Sequence, residues 1–270
     1  MHFAHANGYA PLVYTDLLEA LQQDFDVHAF GSRPMWPESD PHAIKDWVPL
    51  ANDLIEQLSA ITPTGWIGVG HSLGATTTLM AALRAPTLFS RVIIIDPPLF
   101  PPLMSYLFSL VTFLGQEYKL HPLAPGALRR RRSFPSLDEM FTNYRKKRVF
   151  RRLSDETLRR YVDSLAKPSE NGSAQLRYSP EWEARIYVTG TLQDRHTWRK
   201  LSALQPPAML IVAEHTNTVR PRTIQLFRKK LPQARIVTIP NSSHLVPLEK
   251  PIDIATEIRS FLQVQNTTQE

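Results

Sequence analysis

Cysteine is absent from the 270 residues of this chain. That excludes a disulfide framework, a cysteine nucleophile and any thiolate metal site, and it fits a reducing compartment. No stretch approaches the roughly 18 consecutive apolar residues of a membrane-spanning helix. The N-terminal Met1-His2-Phe3-Ala4-His5 lacks the basic and long apolar regions of a secretion signal. A cytoplasmic protein without a membrane span is expected. There is no repeat period and no low-complexity tract, which removes solenoid and disordered readings. Neither standard spelling of a glycine-rich phosphate loop occurs, and no His/Asp/Glu cluster has metal-ligand spacing, so no cofactor and no metal are expected.

One turn organises what is there. Gly70-His71-Ser72-Leu73-Gly74 follows the apolar run 66–69 and precedes the Ala/Thr/Leu segment 75–83, a strand, a sharp turn and a helix. A backbone bent tightly enough to lift a serine hydroxyl above a sheet brings the flanking side chains into collision, so the turn demands Gly70 and Gly74. The helix after Ser72 aims its unsatisfied N–H groups and positive dipole end at any oxyanion formed there.

Strand-like runs recur at 1–6, 25–30, 91–96, 208–213 and 235–239, with helical spacing at 14–22, 47–60, 221–230 and 251–264. The alternation predicts an α/β fold, a mostly parallel six-stranded sheet with helices on both faces and ligands at the carboxyl ends of its strands. Hydrophobic residues at 43% suffice for a large core. The pattern lapses between Asp96 and Met209. Residues 1–98 and 199–270 therefore read as the core and 99–198 as a helical cap insertion. The segment after Asp96 opens with Pro97, Pro98, Pro101 and Pro102 and continues through Leu103, Met104, Tyr106, Leu107, Phe108, Leu110, Phe113 and Leu114, an apolar stretch expected to face the pocket or the core. It then turns basic: residues 99–186 hold 16 Lys and Arg against 9 Asp and Glu, while the rest of the chain is nearly balanced. These charges read either as a solvated helix face or as a funnel for an acidic substrate, such as an acyl chain on a phosphorylated thiol.

A serine hydroxyl at its ordinary pKa is a weak nucleophile, so a base must lie within reach and a third group must orient it. His244, in the loop between the last strand and the last helix, is the candidate base. Among the other histidines, His71 belongs to the elbow and should point away, His28 sits in a strand run, and His121 and His196 fall in the insertion.

With these motifs, Gly70-His71-Ser72-Leu73-Gly74, Ser243-His244-Leu245-Val246-Pro247-Leu248-Glu249-Lys250-Pro251 and His5-Ala6-Asn7-Gly8-Tyr9, the chain resembles the cap-bearing serine hydrolases of the α/β-hydrolase superfamily. The resemblance implies a serine esterase, a carboxylesterase acting on a small-molecule ester through an acyl-enzyme. It implies an oxyanion hole from the backbone N–H groups of Asn7 and Leu73, with Gly8 or Tyr9 as alternatives to Asn7. It also implies that the N-terminal edge hairpin of the fold is missing. The acid departs from the family pattern, which puts it after the penultimate strand; there the chain reads Ala213-Glu214-His215-Thr216-Asn217, with Thr216 in the acid's place. Asp96, ending the run 91–96, is the first choice for the acid and Glu214 the second. Thioesterase, C–C hydrolase and aminopeptidase chemistries use the same triad, and a non-catalytic ligand-binding relative stays open while the acid is in question. No nucleic-acid partner is expected, since the basic residues come without a recognisable binding module. Oligomeric state is left open.

Overall fold

The computed structural model describes residues 1–168 and 172–263. β1 (His2–Ala4) leads through a turn and a 3-10 helix, Pro11–Tyr14, into α1 (Thr15–Gln22), and α2 (Val48–Ile61), β2 (Trp66–His71), α3 (Leu73–Arg84) and β3 (Phe89–Ile95) follow. The chain then leaves the sheet for α4 (Pro102–Phe113), α5 (Glu117–Leu120), α6 (Ala124–Leu128), β4 (Ser133–Phe134), α7 (Leu137–Arg145), α8 (Asp155–Leu165), β5 (Ala166–Pro168), β6 (Ala174–Leu176), α9 (Pro180–Thr189) and α10 (Asp194–Lys200). It returns as β7 (Ala208–His215), α11 (Pro221–Lys230), β8 (Arg235–Ser243), α12 (Val246–Glu249) and α13 (Pro251–Gln263). The end predicted for the last helix, Val264, lies outside the described residues.

The main sheet has the order β1-β2-β3-β7-β8, with every neighbouring pair parallel. Its middle strand explains the β-branched run in the sequence: Val92, Ile93, Ile94 and Ile95 are wholly buried because helices cover both faces. α3 is buried from Leu73 to Ala82, packed against the sheet on one side and α2 on the other.

Among the described residues this sheet has five strands, not six. The run 25–30 meets β1 at a single bridge, His2 to His28, where Phe3 N–H donates to His28 O at 2.8 Å and His28 N–H to Met1 O at 2.9 Å. Beyond it a side chain takes over from the ladder: Ser32 N–H donates to Nε2 of His5 at 2.9 Å. The alternating pattern therefore marks an edge segment that never forms a second rung.

Between β3 and β7 the chain adds a small antiparallel sheet, order β4-β6-β5. Its strands of 2 to 3 residues are too short to leave a period in the sequence. The apolar stretch of α4 does not face the core. Leu103, Tyr106, Leu107, Leu110, Phe113 and Leu114 are exposed, whereas Ser105 is buried and Ser109 and Thr112 are half-buried. Helical spacing puts the three hydroxyls on one side, and that side is the one turned to the protein.

Candidate active site

The turn between β2 and α3 is as tight as its spelling requires. Ser72 adopts φ 53° and ψ −117°, a region that non-glycine residues rarely occupy unless their surroundings hold them there. Ser72 N–H donates to Ile95 O at 2.9 Å, and Ser72 O accepts from Thr76 N–H at 3.2 Å. A Cβ on Gly70 would lie 2.3 Å from Gly74 O, and one on Gly74 would lie 2.1 Å from Ala4 O. Neither position admits a side chain.

His244, at the end of β8, meets this turn. Its Nε2 lies 3.0 Å from Ser72 Oγ, and its Nδ1 lies 2.6 Å from Asp96 Oδ2. With the Nδ1 proton directed at the carboxylate, Nε2 is left to accept the serine proton. Asp96 follows β3 with φ 46° and is completely buried. A carboxylate out of water needs donors. Oδ1 accepts from Ala213 N–H at 3.1 Å, and Oδ2 accepts from the Thr216 hydroxyl at 2.6 Å as well as from His244. The Thr216 oxygen in turn accepts the N–H groups of Thr218, at 3.0 Å, and Val219, at 3.2 Å. The Thr218 hydroxyl oxygen lies 3.1 Å from His244 Nδ1.

Glu214 is not brought to this cluster. The β7–β8 register runs from Ala213 opposite Ile239 to His215 opposite Ser243, so β8 bulges around Asn241, which has φ 50°. Glu214 accepts the N–H of Asn241 at 2.7 Å and serves that bulge.

Several residues at the site were not assigned a role from sequence. His71 does not simply point away: its Nε2 donates to the backbone oxygen of His244 at 2.8 Å, and its Nδ1 accepts from the Tyr14 hydroxyl at 2.8 Å. Tyr14 accepts in turn from Ala6 N–H at 3.2 Å. Burial, aided by the neighbouring His244 ring, holds the His71 imidazole far below its usual pKa, so it stays neutral and keeps this directionality. Glu249 accepts from Ser243 N–H at 2.7 Å and from the Ser243 hydroxyl, fixing the residue before His244. No short motif announces these contacts.

Leu73 is the first residue of α3 and Asn7 lies in the loop after β1. Among the described residues the N–H groups of Asn7 and Leu73 donate to no protein acceptor. Tyr9 N–H is taken by Ala6 O at 3.2 Å. Burial, with Glu183 nearby, pushes the Tyr178 hydroxyl well above its usual pKa, and the Gly8 amide is among the groups that oppose the shift. The Asn7 side chain faces the insertion: Nδ2 donates to Glu183 O at 3.2 Å and Oδ1 accepts from the Tyr178 hydroxyl at 2.7 Å. Beside Gly8, Arg130 pairs with Glu183 and donates to the Tyr144 hydroxyl at 2.8 Å.

Much of the insertion's positive charge is matched. Arg131 pairs with Glu139, Arg132 with Glu181, Arg145 with Asp155, Arg159 with Asp138, and Arg160 with Asp16 and Glu156. Among the described residues no group of three or more His, Asp or Glu could hold a metal ion.

A parallel α/β sheet with a serine on a strained strand-to-helix turn and a histidine on the loop after the last strand defines a hydrolase of one class. The chain belongs to the alpha/beta hydrolase family, whose model matches residues 3–257. It is 21% identical over 240 residues to the sn-1-specific diacylglycerol lipase ABHD11 of Mus musculus, covering 88% of this chain and 70% of that one. Among solved structures it is similar to E-2-(acetamidomethylene)succinate hydrolase, with TM-score 0.77, 19% identity and 97% and 91% of the two chains covered. It is also similar to the esterase Rv0045c from Mycobacterium tuberculosis, with TM-score 0.74, 20% identity and coverage of 97% and 83%. At these identities the structural likeness is one of fold.

Proposed function

We propose that this hydrolase is a cofactor-independent serine carboxylesterase. The observation that carries the reading is the hydrogen-bonded line from Ser72 Oγ through His244 to Asp96, 3.0 Å and 2.6 Å long at its two steps, on a turn that holds Ser72 in a strained conformation. Ser72 Oγ attacks the ester carbonyl carbon while His244 Nε2 takes its proton. The carbonyl oxygen becomes an oxyanion facing the N–H groups of Asn7 and Leu73 and the positive end of the α3 dipole. When the tetrahedral intermediate collapses, the C–O bond to the alcohol breaks and His244 returns the proton to that alcohol, leaving an acyl-Ser72. Water, deprotonated by His244, then attacks the acyl carbon, the bond to Ser72 Oγ breaks as His244 returns the proton to that oxygen, and the carboxylic acid leaves. Asp96 fixes the tautomer and direction of the imidazole.

A serine nucleophile argues against haloalkane or epoxide chemistry, which uses a carboxylate in this fold. The carboxylate of Asp96 against His244 argues against a non-catalytic relative. The likeness to a mouse diacylglycerol lipase and a mycobacterial esterase supports an ester substrate. Residues 99–198 act as the cap, gripping the Asn7 loop through Tyr178 and Glu183. The absence of cysteine is in keeping with a cytoplasmic setting. The test is a series of p-nitrophenyl esters of increasing acyl length. The reading expects turnover that falls by several orders of magnitude in a folded Ser72→Ala variant. Failure of the folded wild type to hydrolyse any ester, or retention of activity by Ser72→Ala, would refute it.

A further inference from the structure

Helix α4 is built inside out. Leu103, Leu107, Leu110 and Leu114 follow one another at helical spacing, with Tyr106 and Phe113 alongside, and these six side chains are 56% to 85% exposed. The opposite side carries hydroxyls, and Ser105 Oγ and Thr112 Oγ1 are buried without hydrogen-bond partners. A surface helix in water normally reverses this arrangement, because exposing apolar area and burying unpaired hydroxyls both cost free energy. A contiguous exposed stripe of this kind marks a surface that something covers.

The charge beside the stripe indicates what covers it. α4 flanks a cleft of about 310 Å³ whose apolar lining includes Tyr106, Trp198 and Leu226 and whose cations are Arg195, Arg199 and Lys230. The Arg195 guanidinium lies 4.2 Å from the centre of the Tyr106 ring. α10 and α11 together carry seven Lys and Arg and one acid, Asp194, which is fully buried. Among the described residues none of these seven forms an ion pair, whereas Arg131, Arg132, Arg145, Arg159 and Arg160 do.

We propose that α4, with the cations of α10 and α11, docks the protein onto the surface of an anionic phospholipid bilayer. The leucines and Phe113 enter the boundary between headgroups and acyl chains, and Arg195, Arg199 and Lys230 meet the phosphates just outside it. A second copy seated on the same face would bring two unpaired cation sets together, whereas an anionic bilayer satisfies both halves of the surface. Docking is peripheral: at 1.5 Å per residue the 12 residues of α4 reach about 18 Å, well short of a bilayer core.

The test is flotation of the full-length protein with vesicles of phosphatidylcholine alone or mixed with phosphatidylglycerol. The wild type should float with the phosphatidylglycerol vesicles and about tenfold less with neutral ones, the difference shrinking in high salt. Leu107→Ser with Phe113→Ser, both at exposed positions, should lower binding about tenfold or more, and Arg195→Glu with Lys230→Glu should abolish the preference for the anionic lipid. Ser72→Ala should float like the wild type, which separates this result from the fate of the esterase reading. Absence of wild-type flotation with anionic vesicles overturns the proposal. So does a dimer in light scattering that the Leu107→Ser, Phe113→Ser variant converts to monomer, since the face would then belong to a second copy.

Discussion

The Thr216 hydroxyl donates to Asp96 Oδ2 at 2.6 Å, the oxygen that His244 Nδ1 also approaches to 2.6 Å. The carboxylate is thus oriented by the end of β7 before the histidine uses it. Thr216→Val keeps the shape but removes that donor and strands the N–H groups of Thr218 and Val219. It should lower kcat about tenfold and cost about 1–3 kcal/mol of stability. Thr216→Ser should recover most of both, as read from ester turnover and urea midpoints.

Asp96→Asn and Glu214→Gln should separate sharply. The first replaces an acceptor with a group that can present an N–H to His244, and kcat should fall by about 10⁴ in a folded protein. The second touches only the bulge at Asn241 and should leave kcat near normal. A near-normal Asp96→Asn enzyme would remove Asp96 from the mechanism.

Long, strongly patterned elements were legible in the sequence, and short or irregular ones were not. The β-branched run of β3 and the Gly-x-Ser-x-Gly turn each express one physical demand, burial on both faces and a backbone too tight for side chains. The edge run 25–30 carries a strand's alternation, but a side-chain bond from Ser32 to His5 replaces its ladder. The choice between Asp96 and Glu214 could not be read because Glu214 is engaged by the bulge at Asn241, which has no spelling of its own. The outward face of α4 could not be read because an apolar stripe specifies contact with something apolar without saying what.

His71 joins the site to the fold. His71→Phe would leave the Tyr14 hydroxyl without its acceptor and the His244 carbonyl without its donor. A loss of about 2–4 kcal/mol is expected. Because Tyr14→Phe breaks the same chain, the double variant should be less destabilised than the sum of the singles, by about 1 kcal/mol in denaturant titrations. Strict additivity would show that the two do not act together.

Acid should unfold the protein from the histidine side. Burial lowers His2 to about 3 and His5 to about 4, and His71 far below its usual value. In the unfolded chain all three take a proton near pH 6.5. As pH falls from 6.5 through the folded values the unfolded state therefore binds more protons, and stability declines by about 1.4 kcal/mol per pH unit for each such histidine. Asp194 has the opposite sign: burial raises its carboxyl, so its contribution is present at low pH and is lost as pH rises, which opposes the histidines. Urea midpoints at pH 7.5, 6 and 5 should fall steadily, and Asp194→Asn should steepen the slope. A flat profile would contradict neutral burial of these histidines.

The nucleophile is the claim on which the rest depends. Incubation with a fluorophosphonate probe, followed by proteolysis and mass spectrometry, reads it directly. A single adduct on the peptide containing Ser72 is expected, formed far more slowly in Asp96→Asn. An adduct on another residue, or a folded protein that takes up no probe, would contradict the account.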